Sequence, residues 1–167
     1  MSYHHLTHTL ELFANKDSKY LILGSFPSVK SREYNFYYAH PRNRFFPTLA
    51  TIFNESLSSD IKERKDFLLR HNIALYDVIE ECDIKGSSDS SIINVIPADI
   101  VGILHKFPDI KVIGITGGKA KSLFDKYLLN KIDTIAIKVV HLPSTSPANA
   151  KITNKELVEA YKFLFCL

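Results

Sequence analysis

Four short apolar segments are spaced along the chain, and amphipathic segments lie between them. The apolar segments, which we predict to be strands, are residues 20–23, 73–76, 112–115 and 135–140. Near-continuous aliphatic character is typical of strands covered on both faces, and strands that alternate with helices favour a parallel sheet. The pattern predicts an α/β fold, with one three-layer domain over residues 1–167 and a four-stranded parallel sheet flanked by helices.

The segments between the predicted strands carry apolar residues at steps of three and four, which is the period of an amphipathic helix. The predicted helices are residues 43–55, 59–71, 97–106, 119–129 and 154–165. Two long segments, 25–42 and 83–94, lack clear periodicity, and loops of that length are usually functional. The second is rich in Ser, and it is compatible with either a flexible linker or the wall of a pocket.

Composition narrows the class of protein. The 167 residues are 46% hydrophobic and 23% charged, with a formal net charge of +3, which favours a folded domain and permits a nucleic-acid partner without requiring one. Cys82 and Cys166 are too few for a disulfide framework or a four-cysteine metal site. No leader or membrane span is evident, so we expect a cytoplasmic protein that does not enter a membrane.

Ligands of open parallel sheets bind beyond the carboxyl ends of the strands, so the segments that follow the strands are the expected site. Residues 36–46 combine aromatic rings with Arg and Asn, which suits base stacking and phosphate binding as well as ordinary core packing. Gly117 and Gly118 open a predicted helix without forming a Walker motif, so they indicate a phosphate site or a tight turn, and an ATPase is disfavoured. Residues 141–150 contain two prolines and indicate a capped turn or a stiff binding loop.

Two other kinds of chemistry have weaker support. His4, His5 and His8 lie at helical spacing, but no carboxylate or cysteine with ligand spacing accompanies them, which favours exposed terminal histidines over a metal site. His141 and Asp77 fall near predicted strand ends and leave a Ser-His-Asp hydrolase open, although the segment after the first strand lacks the Gly-x-Ser-x-Gly nucleophile elbow.

Four collinear segments resemble the motifs of the uracil-DNA glycosylase superfamily, most closely its hypoxanthine-DNA glycosylase branch, whose members are also called DNA-deoxyinosine glycosylases. The segments are residues 21–28, 36–46, 86–92 and 142–150, and the likeness spans residues 9–163. The resemblance implies that DNA lies across the strand ends. The implied activity is hydrolysis of the N-glycosidic bond of a deaminated base, hypoxanthine preferred, in double- or single-stranded DNA during base excision repair. The implied enzyme is a monofunctional glycosylase that acts as a monomer with no metal and no cofactor.

The resemblance also assigns residues. Many superfamily members have a catalytic Asp or Asn where this chain has Phe26, and the hypoxanthine branch uses the Asn of a His-Pro-x-Asn motif, which here is Asn43. Asn43 is therefore the expected catalytic residue, although its position also suits a helix N-cap. The expected base-binding residues are Gly24, Ser25, Phe26, Tyr38 as the stacking aromatic, Ser88 and Asp89. The expected DNA-binding residues are Ser28, Arg42, Arg44, Lys119, Ser144, Thr145, Ser146 and Asn149, with Lys121 as a further phosphate contact.

Two departures from the family pattern keep alternatives open. Leu142 stands where classical uracil enzymes have a His that polarises the base carbonyl, so slower and broader excision of deaminated bases is implied. A mismatch-specific uracil-DNA glycosylase is the runner-up. The apolar Phe26 leaves a DNA-damage binder without activity as another hypothesis, and a hydrolase of free nucleotides is a third.

Overall fold

A computed structural model describes residues 2–86 and 88–167 of the chain. The strands in chain order are β1 (His4–Thr7), β2 (Tyr20–Gly24), β3 (Ile73–Asp77), β4 (Ile79–Ile84), β5 (Ile93–Pro97), β6 (Val112–Thr116) and β7 (Lys138–Leu142). The helices are α1 (Val29–Tyr34), α2 (Phe45–Ile52), α3 (Ile61–Arg70), α4 (Ile100–Lys106), α5 (Gly118–Tyr127) and α6 (Asn154–Leu164). Within the described residues, no helix has both the length and the apolar character that a bilayer crossing requires.

The predicted parallel sheet is confirmed, and its strand order is β3-β2-β6-β7. Its last strand begins at Lys138, so the predicted start at residue 135 is wrong. Asp133 Oδ1 accepts from the backbone N–H groups of Ile135 and Ala136, and this local turn leaves Ile135 91% exposed. An Asp side chain that bonds the backbone two residues ahead favours a turn over a strand, whatever the apolar content of the segment.

Helices cover both faces of the sheet and make the three layers. Along β2, Leu21 and Leu23 belong to one hydrophobic cluster and Ile22 to a second cluster on the opposite face. Alternate residues of a strand point to opposite faces, so a strand covered on both sides must be apolar throughout. All five predicted helices are present, and several start at a side-chain cap, such as the Thr153–Glu156 capping box of α6.

A second sheet, of antiparallel strands in the order β1-β4-β5, was not predicted from the sequence. Its last strand contains Pro97, which the sequence prediction had placed at the start of a helix. The helix α4 begins only at Ile100, because the side chain of Asp99 caps it by accepting from Gly102 N. This sheet brings the N-terminal segment against β4, where the backbone N–H of His8 donates to Glu80 O.

Candidate active site

A cavity of about 490 Å³ opens beyond the carboxyl ends of the parallel strands. Its floor is formed by strand-end residues, Gly24 of β2, Asp77 of β3 and Thr116 of β6, and its rim includes the loop after β7. The predicted site residues that line it are Gly24, Ser25, Phe26, Ser28, Tyr38, Asn43, Ser88, Asp89, Lys119, Ser144, Thr145 and Ser146. The fold therefore brings most of the predicted residues to one place, where ligands of such sheets bind.

Tyr38 is held rigidly in the wall of the cavity. Its ring is stacked on Phe45, with ring centroids 3.9 Å apart and an interplanar angle of 11°. Its backbone φ is 54°, in the left-handed region that a bulky residue rarely adopts, so the surrounding structure has to compensate a local strain. Because Phe45 covers one face of the ring, a planar ligand can stack only on the other.

Asn43 is held in the cavity wall by two hydrogen bonds to its side-chain oxygen. Its side-chain Oδ1 accepts from Phe45 N at 2.9 Å and from Thr145 Oγ1 at 2.8 Å. The first of these bonds is an Asx turn just before α2, and the N-cap position itself is Arg44, so the expectation that Asn43 is the N-cap is wrong by one residue. A backbone N–H can only donate, so the oxygen must face Phe45 and the amide Nδ2 is fixed on the other side. Among the described residues nothing accepts a hydrogen bond from Nδ2. Asn43 therefore lines the cavity as a hydrogen-bond donor.

The loop after β7 is braced from within the protein. The Arg44 guanidinium donates to Asn149 O and Ile152 O at 2.9 and 2.8 Å, and Asn149 Nδ2 donates to Ser144 O at 2.9 Å. Neither Arg44 nor Asn149 lines the cavity, and their side chains are committed to this loop. Thr145 is only 2% exposed and its hydroxyl donates to Asn43 Oδ1, so this hydroxyl is already committed, and contact between Thr145 and DNA stays a prediction.

Four other predicted DNA contacts differ in their surroundings. Arg42 is exposed and lies outside the cavity lining, and Lys121 is paired with Asp125 one turn along α5. Ser28 lines the cavity, but its Oγ also caps α1 by accepting from Ser31 N at 3.1 Å. Lys119 lines the cavity at the start of α5, next to Gly117, whose φ of 85° requires glycine in the tight turn. Phosphate binding by these residues stays a prediction.

Residues of the segment 83–94 form a wall of the cavity. Of the two alternatives for this segment, a flexible linker and the wall of a pocket, the structure supports the second. A short 3-10 helix at Asp89–Ser91 presents Asp89, whose Oδ2 accepts from Ser25 Oγ at 3.3 Å. Burial raises the pKa of the Asp89 carboxyl, while the Ser25 hydrogen bond and the Lys119 charge act in the opposite direction. Ser87, in the same motif, lies outside the described residues.

A buried His8–Asp77 pair under the cavity was missed by the sequence prediction. His8 Nε2 lies 2.8 Å from Asp77 Oδ2, and the two side chains are 0% and 7% exposed. The prediction of exposed terminal histidines is therefore wrong for His8, because this segment continues from a strand and not from a helix. His141 Nε2 lies instead 3.2 Å from Gly117 O, so the hypothetical pairing of His141 with Asp77 is not formed. The position of Asp77 at a strand end was the signal available in the sequence.

The remaining histidine pattern has a structural explanation. His5 bonds Asp83 and Glu81 across the β1–β4 pair, with Nδ1 2.8 Å from Asp83 Oδ1, and these carboxylates raise the pKa of the His5 imidazole. Within residues 2–86 and 88–167, no three His, Cys, Asp or Glu side chains are grouped so that they could hold a metal ion.

Comparisons with known proteins cover nearly the whole chain. No family model matches it. The chain is 31% identical over 144 residues to hypoxanthine DNA glycosylase of Methanosarcina acetivorans, covering 85% of this chain and 88% of that protein. It is 35% identical over 79 residues to hypoxanthine DNA glycosylase of Methanosarcina barkeri, covering 47% and 50%. Its fold matches the solution NMR structure of a candidate uracil DNA glycosylase from Methanosarcina acetivorans with a TM-score of 0.79 and 26% identity, over 95% and 96% of the two chains.

Proposed function

The chain belongs to the hypoxanthine-DNA glycosylase branch of the uracil-DNA glycosylase superfamily and is a DNA glycosylase, and we propose that it hydrolyses the N-glycosidic bond of deaminated bases in DNA, with hypoxanthine preferred. The observation that supports this proposal is the cavity at the strand ends, which is lined by both the stacked ring of Tyr38 and the fixed amide donor of Asn43. A base in a duplex is inaccessible to water, so a nucleotide must be flipped into such a cavity before the bond can break.

Tyr38 supplies the stacking platform in this proposal. A flipped base stacks on the face of the ring that Phe45 leaves open, and base–aromatic stacking contributes about 1 to 3 kcal/mol per base. The stacked Phe45 and the constrained backbone hold the ring before DNA arrives, so little conformational entropy is lost on binding.

Asn43 acts on the charge that develops during the reaction. Water adds to C1′ as the bond from C1′ to the base nitrogen breaks, the base departs with the bonding electron pair, and the proton that the water gives up ends on the departed base. Since Oδ1 of Asn43 is already bonded to Phe45 N and Thr145 Oγ1, only Nδ2 can act, and it acts by donating. A fixed donor stabilises negative charge on the leaving base or holds the oxygen of the attacking water. The double anchoring of Oδ1 provides the preorganisation that such stabilisation needs.

The DNA-facing rim consists of Lys119 and the loop that carries Ser144 and Ser146. This loop contains Pro143 and Pro147, and Tyr161 donates its hydroxyl proton to Pro143 O at 2.6 Å. A braced loop keeps its shape when it is pressed against a strand, which suits contact with phosphates or with the space that the flipped base vacates. We further infer a monomer that acts in the cytoplasm on double- or single-stranded DNA, in keeping with the low cysteine content.

The test is excision from matched oligonucleotides that contain hypoxanthine, uracil, xanthine or adenine, followed by alkaline cleavage at the abasic site. Hypoxanthine is expected to be removed fastest, uracil more slowly and adenine not at all. Binding to damaged DNA without single-turnover cleavage would instead indicate a damage-binding protein. Hydrolysis of free nucleotides without duplex binding would indicate a nucleotide hydrolase, and faster removal of uracil from mismatches would indicate the runner-up substrate.

A further inference from the structure

The wall of the cavity that α1 provides contains a cation that the proposed stacking and donor roles do not use. Arg32 lines the cavity, and so does Ser28, whose carbonyl oxygen accepts from Arg32 N at 3.0 Å. Residues four positions apart lie on the same face of a helix, so α1 presents this face to the cavity. Lys119 in the same lining was expected from the sequence to meet DNA, whereas Arg32 was not.

The Arg32 guanidinium has no partner among the residues that the structure describes. Its Nε is buried without an acceptor, and within residues 2–86 and 88–167 neither Nη nitrogen makes a hydrogen bond or an ion pair. Asp77 and Asp89, which also line the cavity, are bonded instead to His8 and Ser25. The two Nη nitrogens keep accessible surface. The wall therefore encloses Nε and leaves both Nη groups accessible to a ligand.

The charge of Arg32 lies deep in the wall. Cys82 of β4 is fully buried, and burial raises the pKa of its thiol, while the positive charge of Arg32 opposes that rise. A guanidinium that acts on a core thiol lies close to the core. When DNA displaces water from the cavity, an unpaired cation in this position becomes costly. A ligand that supplies acceptors to the Nη groups compensates that cost.

The orientation of a flipped base leaves its polar edges for the walls. A base on the open face of Tyr38 lies parallel to that ring, so its hydrogen-bonding groups point sideways in the plane of the base. Hypoxanthine carries two adjacent acceptors, N7 and O6, on one edge, and an Arg side chain pairs with these two atoms through two N–H groups. We propose that the Nη groups of Arg32 donate to O6 and N7 of flipped hypoxanthine. The inference rests on the proposed function and specifies how the site prefers this base.

This pairing distinguishes hypoxanthine from adenine and from uracil. Adenine has an amino group at C6, so its N–H donors would face those of Arg32. Uracil offers O4 beside a C–H group and can accept from only one Nη group. Sites that hydrogen-bond a specific polar group reject analogues that lack it by large factors. Guanine has the same two acceptors, but in a normal pair it is costlier to extrude than a mispaired deaminated base.

The pairing also acts while the glycosidic bond breaks. The electron pair of the bond between C1′ and N9 leaves with the base, and negative charge spreads from N9 onto N7 and O6 until the base takes up the proton that the attacking water gives up. A guanidinium interacts more strongly with these atoms in the departing anion than in the neutral base, so it lowers the barrier as well as aiding binding.

Two variants test the pairing, and a third is the matched control. Arg32→Met keeps a long apolar side chain and removes the charge and every N–H donor. Arg32→Lys keeps the charge, but a single ammonium group cannot present the planar fork of two donors. Lys30→Met removes one positive charge from the same helix outside the cavity, where Lys30 is paired with Glu33.

The measurement is single-turnover excision of hypoxanthine and of unsubstituted purine, which keeps N7 and has no O6. The ratio of the two rates, taken relative to the wild-type ratio, cancels the intrinsic reactivity of the bases. We expect this ratio to fall about 10-fold in Arg32→Met and at least about 3-fold in Arg32→Lys, and to stay within about 2-fold in Lys30→Met. The rate for hypoxanthine itself should fall about 10- to 100-fold in Arg32→Met.

The outcomes separate this inference from the proposed function. A wild-type protein that excises no deaminated base overturns the proposed function. A wild-type protein that excises hypoxanthine, together with an unchanged ratio in Arg32→Met, overturns only the pairing with the base. If the salt dependence of duplex binding then also loses about 0.9 of its log–log slope in that variant, Arg32 contacts a phosphate instead. If thermal unfolding shows that Arg32→Met does not fold, the ratio in Arg32→Lys decides.

Discussion

Replacing Asn43 by Asp separates the proposed catalytic role of this side chain from its role in the turn before α2. The Asp side chain keeps an oxygen for Phe45 N and Thr145 Oγ1, and Asp forms the same turn to the backbone two residues ahead. The other side of the group changes from an N–H donor into a carboxylate oxygen. Losing one preorganised donor that stabilises developing charge typically slows the chemical step by about 10² to 10³. We therefore expect single-turnover excision of hypoxanthine to fall by about that factor, with little change in thermal midpoint.

Asn43→Ala provides the comparison, because it removes both roles. Loss of the hydrogen bond from Phe45 N costs about 1 kcal/mol, and the Thr145 hydroxyl loses its acceptor for about another 1 kcal/mol. For a chain of this size, 1 kcal/mol corresponds to roughly 2 to 4 °C, so the midpoint should fall by about 4 to 8 °C. Excision by the folded fraction should be as slow as in Asn43→Asp, while affinity for damaged duplex changes little.

The assay pairs thermal unfolding with single-turnover excision on the same preparations. Thr145→Val is the control, since it removes the Thr145 hydrogen bond to Asn43 Oδ1 and keeps both the Phe45 N bond and Nδ2. This variant should lose about 1 kcal/mol of stability, and its excision rate should fall less than about 10-fold. Near-normal excision by folded Asn43→Asp would refute the donor role. The side chain would then only stabilise the turn before α2, and Asp89 and Ser25 would become the next catalytic candidates.

Four further predictions follow from the same geometry. Lys119→Ala should reduce the slope of the logarithm of the duplex-binding constant against the logarithm of the salt concentration by about 0.9 per lost phosphate contact. Lys126→Ala, on the same helix outside the cavity, should leave this slope unchanged. Excision should persist in excess EDTA; activity lost there and restored by one divalent ion would contradict catalysis by side chains alone. Arg44→Ala should lower the thermal midpoint by about 4 to 8 °C through the loss of its bonds to the loop and should leave the salt slope unchanged, whereas Arg42→Ala should leave the midpoint unchanged. Burial raises the folded-state pKa of Asp89, so ionisation of this carboxyl opposes folding. The free energy of unfolding should therefore rise as the pH falls through that pKa. Asp89→Asn should flatten this dependence when unfolding is measured as a function of pH.

The sequence by itself determined the elements whose patterns record burial. Runs such as Leu21 to Leu23 are apolar throughout because both faces of β2 are covered, so the strand is evident without knowing its neighbours. The start of β7 was mispredicted because the Asp133 turn competes locally with extension of the strand. The second sheet was missed because β1, with the sequence His-His-Leu-Thr, is mostly exposed and has little apolar signal.

The site depended on contacts that no local pattern contains. Gly24 and Asp77 are neighbours because β2 and β3 pair in one register, and His8 reaches Asp77 across 69 positions of sequence through the second sheet. The sequence motifs indicated that Asn43 and Tyr38 belong to a site. The packing of Phe45 on Tyr38 decides which face of the Tyr38 ring a ligand can stack on. The hydrogen bond from Thr145 decides which atom of the Asn43 amide a ligand can contact. Burial periodicity is a local property of the chain, whereas the partner of a polar atom depends on the whole topology, and so the tertiary structure alone decided the chemistry of the cavity floor.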